Sequence, residues 1–130
     1  MIPNEGTVFF ATIPPITQEQ INRFGDLHGT DGPSHTDPEY AKNSMFGGVI
    51  VQGALVMAPI FDIGRRASGM GENTNFSVET KFVSFSRPEE ALTVRAEVVA
   101  SSPDRVELSY TCATSEGRAV QVGTLVCEPG

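Results

Sequence analysis

The segment from Phe24 to Gly53 holds both histidines of the chain, His28 and His35, together with Asp26, Thr30, Asp31 and Asp37. These residue types suit general acid–base work, in which an imidazole or carboxylate takes a proton and gives it back. Each also has an ordinary structural role. A histidine beside proline in a turn is usually structural or solvated, and Asp31 before Gly32 is a common turn residue. Asp37 before Pro38 is a helix cap. The two cysteines, Cys112 and Cys127, lack metal-ligand spacing and read as buried free thiols. No metal or redox cofactor is expected.

Several elements must hold this segment in place. Gly6 to Ile13 suits a strand, which Pro14-Pro15 ends. Thr17-Gln18-Glu19-Gln20 is a capping box, with Ile16 and Ile21 spaced as a hydrophobic staple, so a helix should run to about Gly25. The stretch from His28 to His35 is rich in turn residues. Thr36-Asp37-Pro38-Glu39-Tyr40-Ala41 then starts a second helix, with proline at the first helical position, and Gly47-Gly48 breaks it. A longer helix should begin near Gln52-Gly53 and reach about Arg66, a span of ~22 Å at ~1.5 Å per residue. Its apolar residues cover nearly all sides, which predicts burial. Arg65 and Arg66 suit the negative end of its dipole, and Pro59 should kink it.

From about residue 74 the pattern changes to period two. Phe76, Val78, Thr80 and Phe82 share one face; Leu92, Val94, Ala96 and Val98 another; Val106, Leu108, Tyr110 and Cys112 a third. Val120, Val122, Thr124 and Val126 are expected to complete the inward row. Turns at Arg87-Pro88-Glu89-Glu90, Ser101-Ser102-Pro103-Asp104 and Ser115-Glu116-Gly117 separate the strands, giving an antiparallel sheet. One apolar helix and one curved sheet pack economically if the sheet wraps the helix around its whole circumference. The fold class is therefore α+β, a hotdog-like single domain over residues 1–130; a plain sandwich or barrel leaves the apolar helix unexplained.

The motif Gly29-Thr30-Asp31-Gly32-Pro33-Ser34-His35-Thr36-Asp37, followed by Pro38-Glu39-Tyr40-Ala41 and Phe46-Gly47-Gly48-Val49-Ile50-Val51-Gln52-Gly53, resembles the MaoC-like hydratase and dehydratase family, which includes the R-specific enoyl-CoA hydratases. The match is ungapped over about 30 residues, with a weaker echo at Phe82-Val83-Ser84-Phe85-Ser86-Arg87-Pro88. The resemblance implies addition or loss of water across the double bond next to a thioester carbonyl. It implies that His35, with a nearby carboxylate, is the acid/base. It also implies that the Gly53 N–H, at a helix N-terminus, meets the charge on the thioester oxygen, with Gln52 beside it at the substrate. An apolar channel between sheet and helix would take the acyl chain.

Three positions depart from the family pattern, one of them Gly32, which replaces the family's asparagine. Thr30 falls where the family has its catalytic aspartate, and Gln52 replaces the usual histidine before the helix glycine. Asp31 is the first candidate for the displaced carboxylate, since Gly29 and Gly32 permit a local backbone shift. Asp26 and His28 are further candidates. Arg65, Arg66 and Lys81 are cations that would meet the phosphates of CoA or of a carrier-protein arm, or else are simply solvated.

The formal charge of −7 argues against nucleic acid as a partner. No apolar run reaches the ~18–20 residues that cross a bilayer, and the N-terminus does not read as a secretory signal, so a cytoplasmic location is expected. The expected partners are an acyl thioester and a second copy, as a homodimer or higher homo-oligomer. Three other functions compete. A hotdog thioesterase needs a carboxylate early in the central helix or nearby, and the only acid of this helix, Asp62, comes late. A degenerate subunit would bind acyl chains or support an active paralogue. A biosynthetic dehydratase or cyclase would act on an unusual substrate.

Overall fold

The computed structural model describes residues 2–130. Five antiparallel strands form one sheet in the order β1-β3-β4-β5-β2, with β1 Val8–Ile13, β2 Thr74–Phe82, β3 Leu92–Ser102, β4 Arg105–Thr114 and β5 Ala119–Pro129. A 16-residue helix, α4 (Gly53–Ser68), packs against it. Three shorter helices precede α4: α1 Gln18–His28, α2 Pro33–Thr36 and α3 Pro38–Lys42. This is the hotdog arrangement that the sequence predicts.

Local chemistry accounts for the helix starts. Thr17 accepts from the Gln20 N–H while the Gln20 side chain accepts from the Thr17 N–H, closing the capping box. Ile16 and Ile21 are both buried, as a staple requires. Asp37 caps α3 by accepting from the N–H groups of Glu39 and Tyr40 at 3.1 and 3.2 Å. Helix α1 runs one turn beyond Gly25, because Gly29 supplies the left-handed backbone (φ 73°) that ends it. The turn-rich stretch is also more ordered than its composition suggests: Pro33 opens α2, which carries His35.

Two expectations about packing are corrected. Helix α4 is not buried all round: Ala54, Ala58, Asp62, Arg65 and Arg66 are exposed. A single sheet covers one side of a helix, and the small residues on the far side leave that face open. Pro59 lies inside α4, which continues through it.

The inward row of β5 is also not the predicted one. Leu125 and Cys127 are fully buried and Gln121 is 2 % exposed, whereas Val122, Thr124 and Val126 are half-buried. Both rows of β5 contain apolar residues, so its pattern alone does not choose a face. The choice is made by pairing: Gly123 lies opposite both Tyr110 and Thr80, and Leu125 opposite both Leu108 and Val78. A side chain at Gly123 would collide with the Glu79 carbonyl and with the Tyr110 hydroxyl, so the glycine makes room for the tyrosine. The register shift between Cys112 and Ala113 lets Val120 be buried as well.

Both cysteines are free and buried. Burial pushes each thiol from its ordinary value of 9.0 to about 11. No helix among the described residues is long and apolar enough to cross a membrane.

Candidate active site

A cavity of about 380 Å³ opens at the N-terminal end of α4. Its walls come from three places. Thr30 and His35 arrive from the loop and α2, Ile50, Val51 and Gln52 from the segment leading into α4, and Gly53, Ala54 and Val56 from its first turn. Phe82, Ser84, Phe85 and Ser86, with Val120 and Gln121, close it from the sheet side.

His35 is held from both ends. Its backbone carbonyl accepts from the Gln18 side chain at 2.7 Å, which ties α2 to α1. Its ring Nδ1 lies 2.7 Å from the Ile50 carbonyl oxygen. A carbonyl only accepts, so Nδ1 carries the hydrogen. In the neutral ring Nε2 is then the nitrogen with a free lone pair, and is able to take a proton.

The start of α4 carries no side-chain cap. The first N–H groups of a helix have no intrahelical partner, and the positive end of the dipole lies with them. Gly53 is the first residue of α4 and lines the cavity. The Phe82 ring rests directly on it: a Cβ there would lie 2.8 Å from Cδ1 and 3.0 Å from Cζ, and closer still to Cε1. Only glycine leaves room for that ring as it stands.

Gln52 is 3 % exposed. Its Nε2 donates to the carbonyls of Ile21 (2.9 Å) and Thr30 (3.2 Å). Both amide hydrogens are therefore used to fasten α1 and the Thr30 loop to the start of α4. The oxygen, not the nitrogen, is the end left free.

The connection from β2 to β3 forms the remaining wall. Val51 donates to the Ser86 carbonyl at 2.9 Å. Arg118 donates to Ser84 Oγ and the Phe85 carbonyl, both at 2.7 Å, and pairs with Glu90 at 3.2 Å. Arg87 donates to the carbonyls of Phe46 and Val49, and its guanidinium lies over the Phe85 ring. These two arginines fix a wall that would otherwise be a free loop.

His35, Thr30, Gln52 and Gly53, singled out from the sequence, thus border one cavity. Asp31 does not: it is exposed and absent from the lining, and its carbonyl accepts from the Thr36 hydroxyl. Asp26 and His28 are exposed on α1, where His28 packs against Phe24. Arg65 and Arg66 lie in the last turn of α4, at the end away from Gly53, and Arg65 pairs with Asp62. Lys81 is exposed beside Phe82. Among the described residues no carboxylate lines the cavity, and His35 is the one titratable side chain that does.

Sequence reasoning missed Gln121, Phe82 and Phe85 as site residues. Gln121 donates from Nε2 to the Gly53 carbonyl at 2.9 Å. The available clue was Gly123: a glycine two residues on, opposite a large Tyr110, marks the row that faces inward.

The family model described as the MaoC-like domain matches residues 5–117. No curated protein matches the chain significantly. Solved structures do share the fold. The (R)-hydratase from A. caviae involved in PHA biosynthesis is 18 % identical, with a TM-score of 0.86 over 98 % of this chain and 97 % of that one. The R-hydratase PhaJ1 from Pseudomonas aeruginosa is 23 % identical, with a TM-score of 0.84 over 97 % and 81 %. The C-terminally truncated HadBC (3R-hydroxyacyl-ACP dehydratase) complex from Mycobacterium tuberculosis is 14 % identical, with a TM-score of 0.75 over 98 % and 99 %. With the family model spanning residues 5–117 and the hotdog fold shared along nearly the whole chain, the protein belongs to the MaoC-like dehydratase family.

Proposed function

We propose that the protein is a hydratase or dehydratase acting on an enoyl or 3-hydroxyacyl thioester. One observation carries this reading: His35, with Nδ1 engaged by the Ile50 carbonyl, borders the same cavity as the uncapped N-terminus of α4. An acid/base and a carbonyl-polarising group are the two things the reaction needs.

In the hydration direction, His35 Nε2 takes a proton from water as the water oxygen bonds to C3. The electron pair of the double bond moves toward C2 and the thioester oxygen, where the Gly53 N–H meets the negative charge. The proton on Nε2 then passes to C2, and the enzyme returns to its starting state. Dehydration is the reverse. The Phe82 and Phe85 rings and Val56 supply apolar surface for the acyl portion. The protein works as a homodimer on this reading; the unpaired edges of β1 and β2 and the open face of α4 at Ala54, Ala58 and Asp62 are surfaces available for pairing.

The test is purified protein with crotonyl-CoA. Loss of enoyl absorbance without release of free thiol is expected, with a loss of at least ~10²-fold in His35→Ala. Release of thiol would point to a thioesterase instead.

The lack of a carboxylate in the cavity lining favours one other reading, an acyl-binding or partner subunit without activity of its own. It would gain if the wild-type protein were inert on a range of enoyl thioesters and a purified paralogue gained activity in its presence.

A further inference from the structure

The residues that line the cavity grade from exposed to buried. Thr30, Ala54 and Phe82 are exposed and mark its mouth. His35 and Gly53 are half-buried and lie between. Val51, Val56, Val120 and Gln121 are buried and form its floor. The large polar arm of a thioester must stay in water. A substrate reacting at His35 and Gly53 therefore has its thiol arm at the mouth and its acyl tail on the floor.

That floor comes early along α4. Of this helix only Gly53, Ala54 and Val56 line the cavity. Ile60, one turn beyond Val56, is 2 % exposed and outside the lining. Farther on, helix and sheet touch. A Cβ at Gly64 would lie 2.7 Å from Leu125 Cδ2 and 2.8 Å from Phe76 Cε1. The Phe61 ring packs edge-on against Phe76, with centroids 5.3 Å apart. The space behind the floor is thus filled by packed side chains, which yield little to an intruding chain. The floor is also pinned: Gln121 donates to the Gly53 carbonyl and the Val51 N–H to the Ser86 carbonyl, both at 2.9 Å.

From Gly53 to Val56 the helix rises about 4.5 Å. An extended hydrocarbon built of ~1.5 Å C–C bonds advances about 1.3 Å per carbon. Three or four carbons beyond the thioester carbonyl therefore reach the floor. We infer that the site selects short acyl chains, of about four to six carbons in all, and that Val56 and Val120 set this limit. The inference rests on the thioester reading above and adds to it the length of chain the site accepts.

The experiment measures kcat/KM for hydration of crotonyl-, hexenoyl- and octenoyl-CoA, of four, six and eight carbons, with the intact protein. Wild type is expected to use octenoyl-CoA at least ~10-fold less well than crotonyl-CoA. Val56→Ala removes two methyl groups from the floor and should raise the octenoyl-to-crotonyl ratio about tenfold. Val120→Ala opens the floor from the strand side and should move the ratio the same way; it serves if Val56→Ala does not fold. Val56→Ile adds a methyl group and should lower the hexenoyl-to-crotonyl ratio. A merely structural role would lower all the rates together and leave the ratios alone. Octenoyl-CoA used within about twofold of crotonyl-CoA by wild type, or ratios unmoved in every folded variant, overturns the inference while leaving the thioester reading standing. Turnover of none of the three esters by wild type overturns both.

Discussion

Gly53→Ala separates the chemistry of the α4 N-terminus from its packing. The new methyl group would enter the space of the Phe82 ring, so the ring must move. It has somewhere to go, because Phe82 is 58 % exposed. About two-fifths of the residue is buried, or roughly 80 Å² of a large aromatic side chain. At ~25 cal/mol per Å², swinging it fully into water costs at most about 2 kcal/mol. Alanine recovers up to about 1 kcal/mol through its better helix propensity. The variant should therefore lose no more than about 2 kcal/mol, a fall in Tm of a few degrees by calorimetry. Activity should respond far more strongly. The methyl group narrows the approach to the first N–H of α4, and loss of one such donor typically costs ~10²–10³-fold in kcat. The assay is crotonyl-CoA hydration followed by absorbance, with Tm measured on the same sample. A second variant checks the packing account: Phe82→Ala should cost less stability in the Gly53→Ala background than in wild type, because the ring has already been displaced. If folded Gly53→Ala retains kcat/KM within about threefold of wild type, the thioester oxygen does not sit at this helix terminus, and the reasoning fails.

Three further outcomes follow from the fold. Gly123→Ala should destabilise by at least ~3 kcal/mol in urea unfolding, since its Cβ meets the Glu79 backbone carbonyl as well as the Tyr110 hydroxyl, and backbone in mid-sheet has little room to yield. Asp37→Ala removes the acceptor for two N–H groups and should cost about 1 kcal/mol, while kcat/KM changes by less than about threefold because Asp37 does not line the cavity. The Cys112 and Cys127 thiols, raised in the fold to about 11 from 9.0, favour the folded state as neutral groups. That stability is fully present below about pH 9 and is lost as the pH rises toward about 11, on the order of 2 kcal/mol per thiol. Chemical unfolding between pH 8 and 11 should show the decline, and the double variant Cys112→Ala, Cys127→Ala should flatten it.

Much of the architecture was legible in the residues because it rests on local chemistry. The Thr17–Gln20 capping box, the Asp37-Pro38 start, the glycine-led central helix and the period-two strands each depend on neighbours within a few positions. The ungapped motif from Gly29 to Gly53 places His35, Thr30, Gln52 and Gly53 at one site, and all four border one cavity. What remained undetermined depended on partners distant in sequence. Both rows of β5 are apolar enough to face inward, and only pairing with Tyr110 and Thr80 on either side of Gly123 selects the row that carries Gln121 to the Gly53 carbonyl. The Phe82 ring meets Gly53 only because β2 ends beside the start of α4. An all-round apolar helix predicts full burial, yet the side of α4 at Ala54 and Ala58 stays exposed because a single sheet has only one face to offer. Asp31 is one residue from Thr30 in sequence but outside the cavity lining in space, since the direction of a side chain in a turn is set by the backbone around it. Caps, periodicity and motif order are determined by short-range chemistry; which side chains share a cavity is decided by strand register and by how the helix end meets the sheet.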